Sequence, residues 1–156
     1  MKLQKFIPLV LVVLLFSLSA CSPGKASQEI NEIGIVYKSP ACGCCGDWLV
    51  YMEGHGYTFQ VENVQNLSPI KEQYHIPPKL QSCHTAIVEG YVIEGHVPVA
   101  EVKRLLAEQP EIAGIAVAGM PIGSPGMEVE GAASQPFDVV AFDRQGNTFV
   151  FASYGE

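Results

Sequence analysis

Between Pro40 and Trp48 the chain reads Pro-Ala-Cys-Gly-Cys-Cys-Gly-Asp-Trp, placing Cys42, Cys44 and Cys45 directly after the β-branched run Ile33-Gly-Ile-Val-Tyr37. Such a run, closed by Lys38-Ser-Pro40, predicts a short buried strand that ends at a turn. Cys42 and Cys45 form a C-x-x-C at the predicted junction of that strand with a helix, where the helix N-terminus stabilises a thiolate. The fold must therefore present a strand-to-helix corner crowded with sulfur.

The N-terminus reads as an export signal. Met1-Lys-Leu-Gln-Lys5 is basic, Phe6 to Leu18 is almost wholly apolar, and Leu18-Ser-Ala-Cys21 ends in small residues and a cysteine. An apolar run of about 13 residues is shorter than the roughly 20 that a spanning helix needs. Leu-Ser-Ala-Cys resembles the lipobox of bacterial lipoproteins, which implies a signal peptide over residues 1–20 and lipidation of Cys21. A simple secretory signal is the alternative. Residues 21–31 then read as the lipidated cysteine and a flexible tether, and residues 32–156 as one domain. Ser22 after the lipidated cysteine favours the outer membrane, facing the periplasm; the outer face of the cell membrane is the other expectation.

Loss of Lys2 and Lys5 with the leader leaves seven basic against sixteen acidic side chains, a formal charge of −9. That balance argues against nucleic acid as a partner and suits a cation. An exported chain meets an oxidising compartment. With Cys21 lipidated, Cys42, Cys44, Cys45 and Cys83 remain, an even number that suits two disulfides or a metal site.

After the cysteine motif the pattern predicts a helix through Trp48, Leu49 and Met52, stopped by Gly54 and Gly56, then a half-buried strand in which Tyr57, Phe59 and Val61 alternate with polar residues. Ser68-Pro69 reads as a cap and first helical position, with Pro77-Pro78 closing the short helix. Cys83 to Val88 and Tyr91 to Glu94 read as a hairpin turned at Glu89-Gly90, and Pro98 to Gln109 as an amphipathic helix. The Gly-, Met- and Pro-rich stretch Gly119 to Met127 reads as an ordered loop, and Asp138 to Phe142 with Thr148 to Ala152 as a second hairpin.

Strand-helix-strand-helix-strand-strand-helix is the thioredoxin order. It predicts an α/β, thioredoxin-like fold, a central mixed β-sheet flanked by helices, with an added C-terminal β-hairpin. That topology brings the start of the first helix to the loop entering the third strand, so Cys83 and His84 should meet Cys42 to Cys45. Thioredoxin-type oxidoreductases carry a cis-proline there; this chain has Ser82-Cys83-His84.

Three chemistries suit the thiols. Dithiol exchange needs only Cys42 as nucleophile and Cys45 as resolving thiol, leaving Cys44 surplus. Two structural disulfides would suit an exported domain, although vicinal Cys44 and Cys45 pair only with strain. A soft metal, Cu(I) or zinc, uses every sulfur. Adjacent Cys44 and Cys45 do not easily reach one ion together with Cys42, so a small thiolate-bridged, multinuclear copper cluster is the sharper expectation.

Pro40 to Trp48, Ser82-Cys-His-Thr-Ala86, Glu94-Gly-His-Val-Pro98 and Gly119-Met-Pro-Ile-Gly-Ser-Pro-Gly-Met127 together resemble the family of periplasmic thioredoxin-like metal-binding proteins that includes the CopG copper-resistance proteins. The resemblance spans residues 32 to 154. It implies copper binding at the thioredoxin-like active-site position, a role in copper resistance or homeostasis, and redox cycling of copper as a further expectation; the lipobox departs from a soluble periplasmic form. The expected ligands are Cys42, Cys44, Cys45 and Cys83, with His84 and with Met127 as a thioether. His96 is weighed equally between a structural and a metal role, while Met120 is expected to pack, and His55 and His75 to lie at the surface. A copper-efflux or redox partner is left unnamed by the sequence.

Overall fold

The computed structural model describes residues 31–155; the expected signal peptide, the lipidated Cys21 and the tether before Asn31 lie outside the described residues. Strand β1 (Asn31–Lys38) leads through helix α1 (Gly43–Gly54) to β2 (Tyr57–Asn63), which pairs parallel to β1. Helix α2 (Ser68–Gln73) and a 3-10 turn (Pro78–Leu80) precede the hairpin β3 (His84–Val88) and β4 (Tyr91–Glu94), and β3 pairs antiparallel to β1. Helix α3 (Val99–Glu108), β5 (Gly114–Ala116), β6 (Phe137–Phe142) and β7 (Thr148–Tyr154) complete one mixed seven-stranded sheet of order β2-β1-β3-β4-β5-β6-β7. The thioredoxin-like α/β class expected from the element order is the observed one, and the C-terminal hairpin is present as β6 and β7.

Strand β5 is the element that periodicity misses. Its three residues, Gly-Ile-Ala, are all buried, so they carry no polar alternation to read. It lies parallel to β4, making β4-α3-β5 a second crossover unit, and it joins the C-terminal hairpin to the main sheet. Ser68 is also displaced from its expected role: Leu67 is the N-cap of α2, while Asn66 Oδ1 accepts the Ser68 amide at 2.9 Å.

Alternation along the central strands makes two cores. Val36, Ala86, Val88, Ile93, Ile115, Val139 and Ala141 face α1 and α3, which contribute Trp48, Met52, Val99, Val102 and Leu105. Ile76 and Leu80 pack on the other face with Val92, Ala116 and Phe142. On that face Lys71 of α2 forms a buried ion pair with Glu94, and Thr85 Oγ1 donates to the same carboxylate at 2.6 Å. Close approach of β1 to β3 requires Gly34, where a Cβ would stand 2.0 Å from the Ile87 carbonyl oxygen. Among the described residues no helix is long and apolar enough to cross a membrane.

Candidate metal centre

Four segments build the site: the start of α1, the entry to β3, the turn leaving β4, and the loop from Val117 to Met127. Cys42 is the N-cap of α1 in an extended conformation, with φ −81° and ψ 98°, and Cys44 and Cys45 occupy the first turn. Helical spacing turns Cys45 inward with Trp48 and Met52 and leaves Cys42 and Cys44 half-buried. Cys83 stands one residue before β3, so it escapes the strict up-down alternation that would send it and His84 to opposite faces.

The sulfurs of Cys42, Cys44, Cys45 and Cys83 all lie within 4.8 Å of one another. The four sulfurs come from two segments, the start of α1 and the entry to β3, which the element order brings together. Cys42 and Cys45 are joined as a disulfide, whereas Cys44 and Cys83 are free. The alternative of two structural disulfides is not what the domain forms. Cys44 Sγ lies 3.6 Å from Cys42 Sγ, and its thiol donates to the Met120 sulfur at 3.9 Å.

Cys83 is held from both sides. The Ser82 amide donates to Glu94 Oε1 at 2.6 Å, Ser82 Oγ donates to the Gly119 carbonyl, and the buried pair with Lys71 fixes Glu94 in turn. Cys83 Sγ is 3.3 Å from His84 Nδ1 and 3.0 Å from His96 Nε2. His96 Nδ1 lies 2.8 Å from the Pro125 carbonyl oxygen, which can only accept; Nδ1 therefore carries the proton and Nε2 presents a lone pair to the thiol. Both imidazoles are fully buried. The Trp48 ring packs 4.6 Å from that of His84, and its Nε1–H donates to the Val97 carbonyl at 3.0 Å.

Burial governs the protonation states. It pushes the Cys83 thiol up to about 12, with the neighbouring Cys44 adding to the rise. Burial also holds His84 well below the usual histidine value, helped by His96, Lys71 and Lys38, and it lowers His96. Neutral imidazoles beside a protonated thiol are what a cation would find there, and the thiol would lose its proton on binding.

The loop over the site is pinned by its own hydrogen bonds, including the Met127 amide to the Ser124 carbonyl at 2.8 Å. Gly126, at φ +78°, passes so near α1 that a Cβ would stand 2.5 Å from the Trp48 amide nitrogen. Met127 is half-buried in that turn. The Met120 sulfur stands at the thiols, 3.9 Å from Cys44 Sγ; its side chain is half exposed and not packed as expected. His55 and His75 are exposed, as expected.

His96 belongs with Cys83 and His84, and the sequence held a signal for it. The two-residue turn Glu89-Gly90 sets a register in which Val88 faces Tyr91 and Thr85 faces Glu94; continuing it brings His96 level with Cys83. Met120 had no such signal, because a loop without periodicity does not declare which way its side chains face.

The fold and the site define a thioredoxin-like α/β protein whose β1–α1 corner holds a cysteine and histidine cluster. Residues 80–127 match the family described as "Protein of unknown function, DUF411". No curated protein matches the chain. Two solved structures of the copper resistance protein CopG, forms 2 and 1, are similar to it at 36% sequence identity and a TM-score of 0.75; each match covers 80% of this chain and 100% or 98% of theirs. The chain belongs to the family of CopG-type copper resistance proteins.

Proposed function

We propose that this chain is an exported copper-binding protein of copper resistance or homeostasis, whose metal site is Cys42, Cys44, Cys45 and Cys83 in their reduced form, flanked by His84 and His96. The convergence of four sulfurs within 4.8 Å of one another carries this reading. Similarity to copper resistance proteins at 36% identity favours copper over zinc as the cargo. The chemistry of the donors fits: soft sulfur and neutral imidazole in a buried pocket select Cu(I) among available ions. Met120, whose sulfur lies 3.9 Å from Cys44 Sγ, is a candidate thioether beside Met127. Accumulated thiolate charge favours more than one bridging copper ion. Lipidation of Cys21 would tether the domain to a membrane on the periplasmic side, and the acidic surface would favour encounter with the cation.

A second reading has one observation of its own. The Cys42–Cys45 disulfide, at the N-terminus of α1, is the geometry of a thiol–disulfide oxidoreductase, in which Cys42 attacks and Cys45 resolves. The two part on Cys44 and Cys83. Copper uptake should fall sharply in Cys83→Ser, whereas simple dithiol exchange should survive both Cys44→Ser and Cys83→Ser. Undiminished copper uptake in Cys83→Ser would overturn the copper site as drawn.

A further inference from the structure

With Cys42 and Cys45 oxidised, the four-sulfur site has lost two donors, yet a second group of donors is complete. Cys83, His84 and His96 also place ligand atoms within 4.8 Å of one another, and Cys83 is common to both groups. Two features go beyond proximity. The Pro125 carbonyl fixes the His96 ring with the unprotonated Nε2 aimed at Cys83 Sγ, an arrangement that recurs where an imidazole ligates metal and its other nitrogen is held by a backbone carbonyl. His84, also fully buried, presents Nδ1 to the same sulfur at 3.3 Å, so the two imidazoles converge on Cys83. One cysteine with two histidines is a trigonal donor set that copper accepts.

We propose that the disulfide form is itself a metal-holding state, binding a single Cu(I) through Cys83, His84 and His96, and that reduction of Cys42–Cys45 expands this site into the four-thiolate one. The inference rests on the copper reading above. In the reduction an incoming dithiol supplies two electrons and two protons: the Cys42–Cys45 bond breaks to two thiols, and the dithiol becomes a disulfide. Because Cys83 serves both donor sets, the first ion keeps one sulfur bond throughout. Neither histidine is spare in this scheme: they hold the ion while the α1 thiols are unavailable.

The test uses the full chain carrying Cys21→Ser, which removes the unrelated thiol, prepared with the Cys42–Cys45 disulfide intact and, separately, fully reduced. Each is titrated anaerobically with Cu(I) against a competing chelator, and copper X-ray absorption reads the ligand atoms. The oxidised chain should bind one copper with both nitrogen and sulfur neighbours, and the reduced chain more copper with predominantly sulfur neighbours. His96→Ala should weaken binding about tenfold or more in the oxidised chain and far less in the reduced one. The wild-type absorption spectra need no variant to fold. An oxidised chain that binds no copper, or binds it through sulfur alone, while the reduced chain binds normally, overturns the inference and leaves the proposed function standing. Failure of both forms to bind overturns the reading on which it rests.

Discussion

Lys71→Met removes the cation from the most buried charge in the domain. Glu94 is wholly buried, and its carboxylate accepts from Lys71 Nζ, from Thr85 Oγ1 at 2.6 Å and from the Ser82 amide at 2.6 Å. Methionine fills the space of the lysine stem, so the loss is electrostatic: two hydrogen bonds remain, but the carboxylate has no counter-charge. Breaking a buried pair by removing one partner costs about 3–5 kcal/mol. With a slope of about 1–3 kcal/mol per molar urea, that lowers the unfolding midpoint by about 1–5 M. Adding Glu94→Gln should recover much of the loss, since the amide oxygen still accepts from Ser82 and no charge is left unpaired. Urea unfolding of the wild type, the single and the double variant gives all three values. A single-variant cost below about 0.5 kcal/mol, typical of an exposed surface site, would refute the claim that this pair holds Ser82 and Cys83 in place.

Other expectations follow from single contacts. Gly126→Ala should destabilise the domain by about 1–3 kcal/mol, because its left-handed φ is strained for alanine and the new Cβ meets α1; thermal unfolding checks it. Gly46→Ala should instead stabilise by about 0.5–1 kcal/mol, since a Cβ there meets nothing within 4 Å and α1 gains a better helix former. Metal-free, the domain should lose stability as pH falls below 6.5: His84 and His96 have folded values lowered from 6.5, so the unfolded chain binds protons that the fold refuses. Urea midpoints measured from neutral pH downward should fall, and a flat profile would contradict the burial of both rings as neutral groups.

Much of this architecture was legible because its signals are local and periodic. The run before Pro40, the alternation around Phe59 and the turn at Glu89-Gly90 each declare an element, and their order brings Cys83 to the cysteine motif. Strand β5 was not legible, since three buried residues, Gly-Ile-Ala, have neither length nor alternation. His96 was half legible: the turn fixes its register opposite Cys83, but only packing against Pro125 aims its nitrogen. Met120 depends on a loop whose path is set by contacts such as Ser82 with Gly119 and Gly126 with Trp48, which no spacing encodes. The bond between Cys42 and Cys45 is a matter of redox state as well as geometry; a C-x-x-C leaves metal and disulfide equally open.

The decisive measurement is the copper content of residues 32–156, reduced, loaded with copper and handled anaerobically, read by native mass spectrometry. Four converging thiolates should retain more than one copper ion per chain. Less than one copper per chain, together with full disulfide reductase activity, would make Cys42 and Cys45 an exchange dithiol and contradict the copper site.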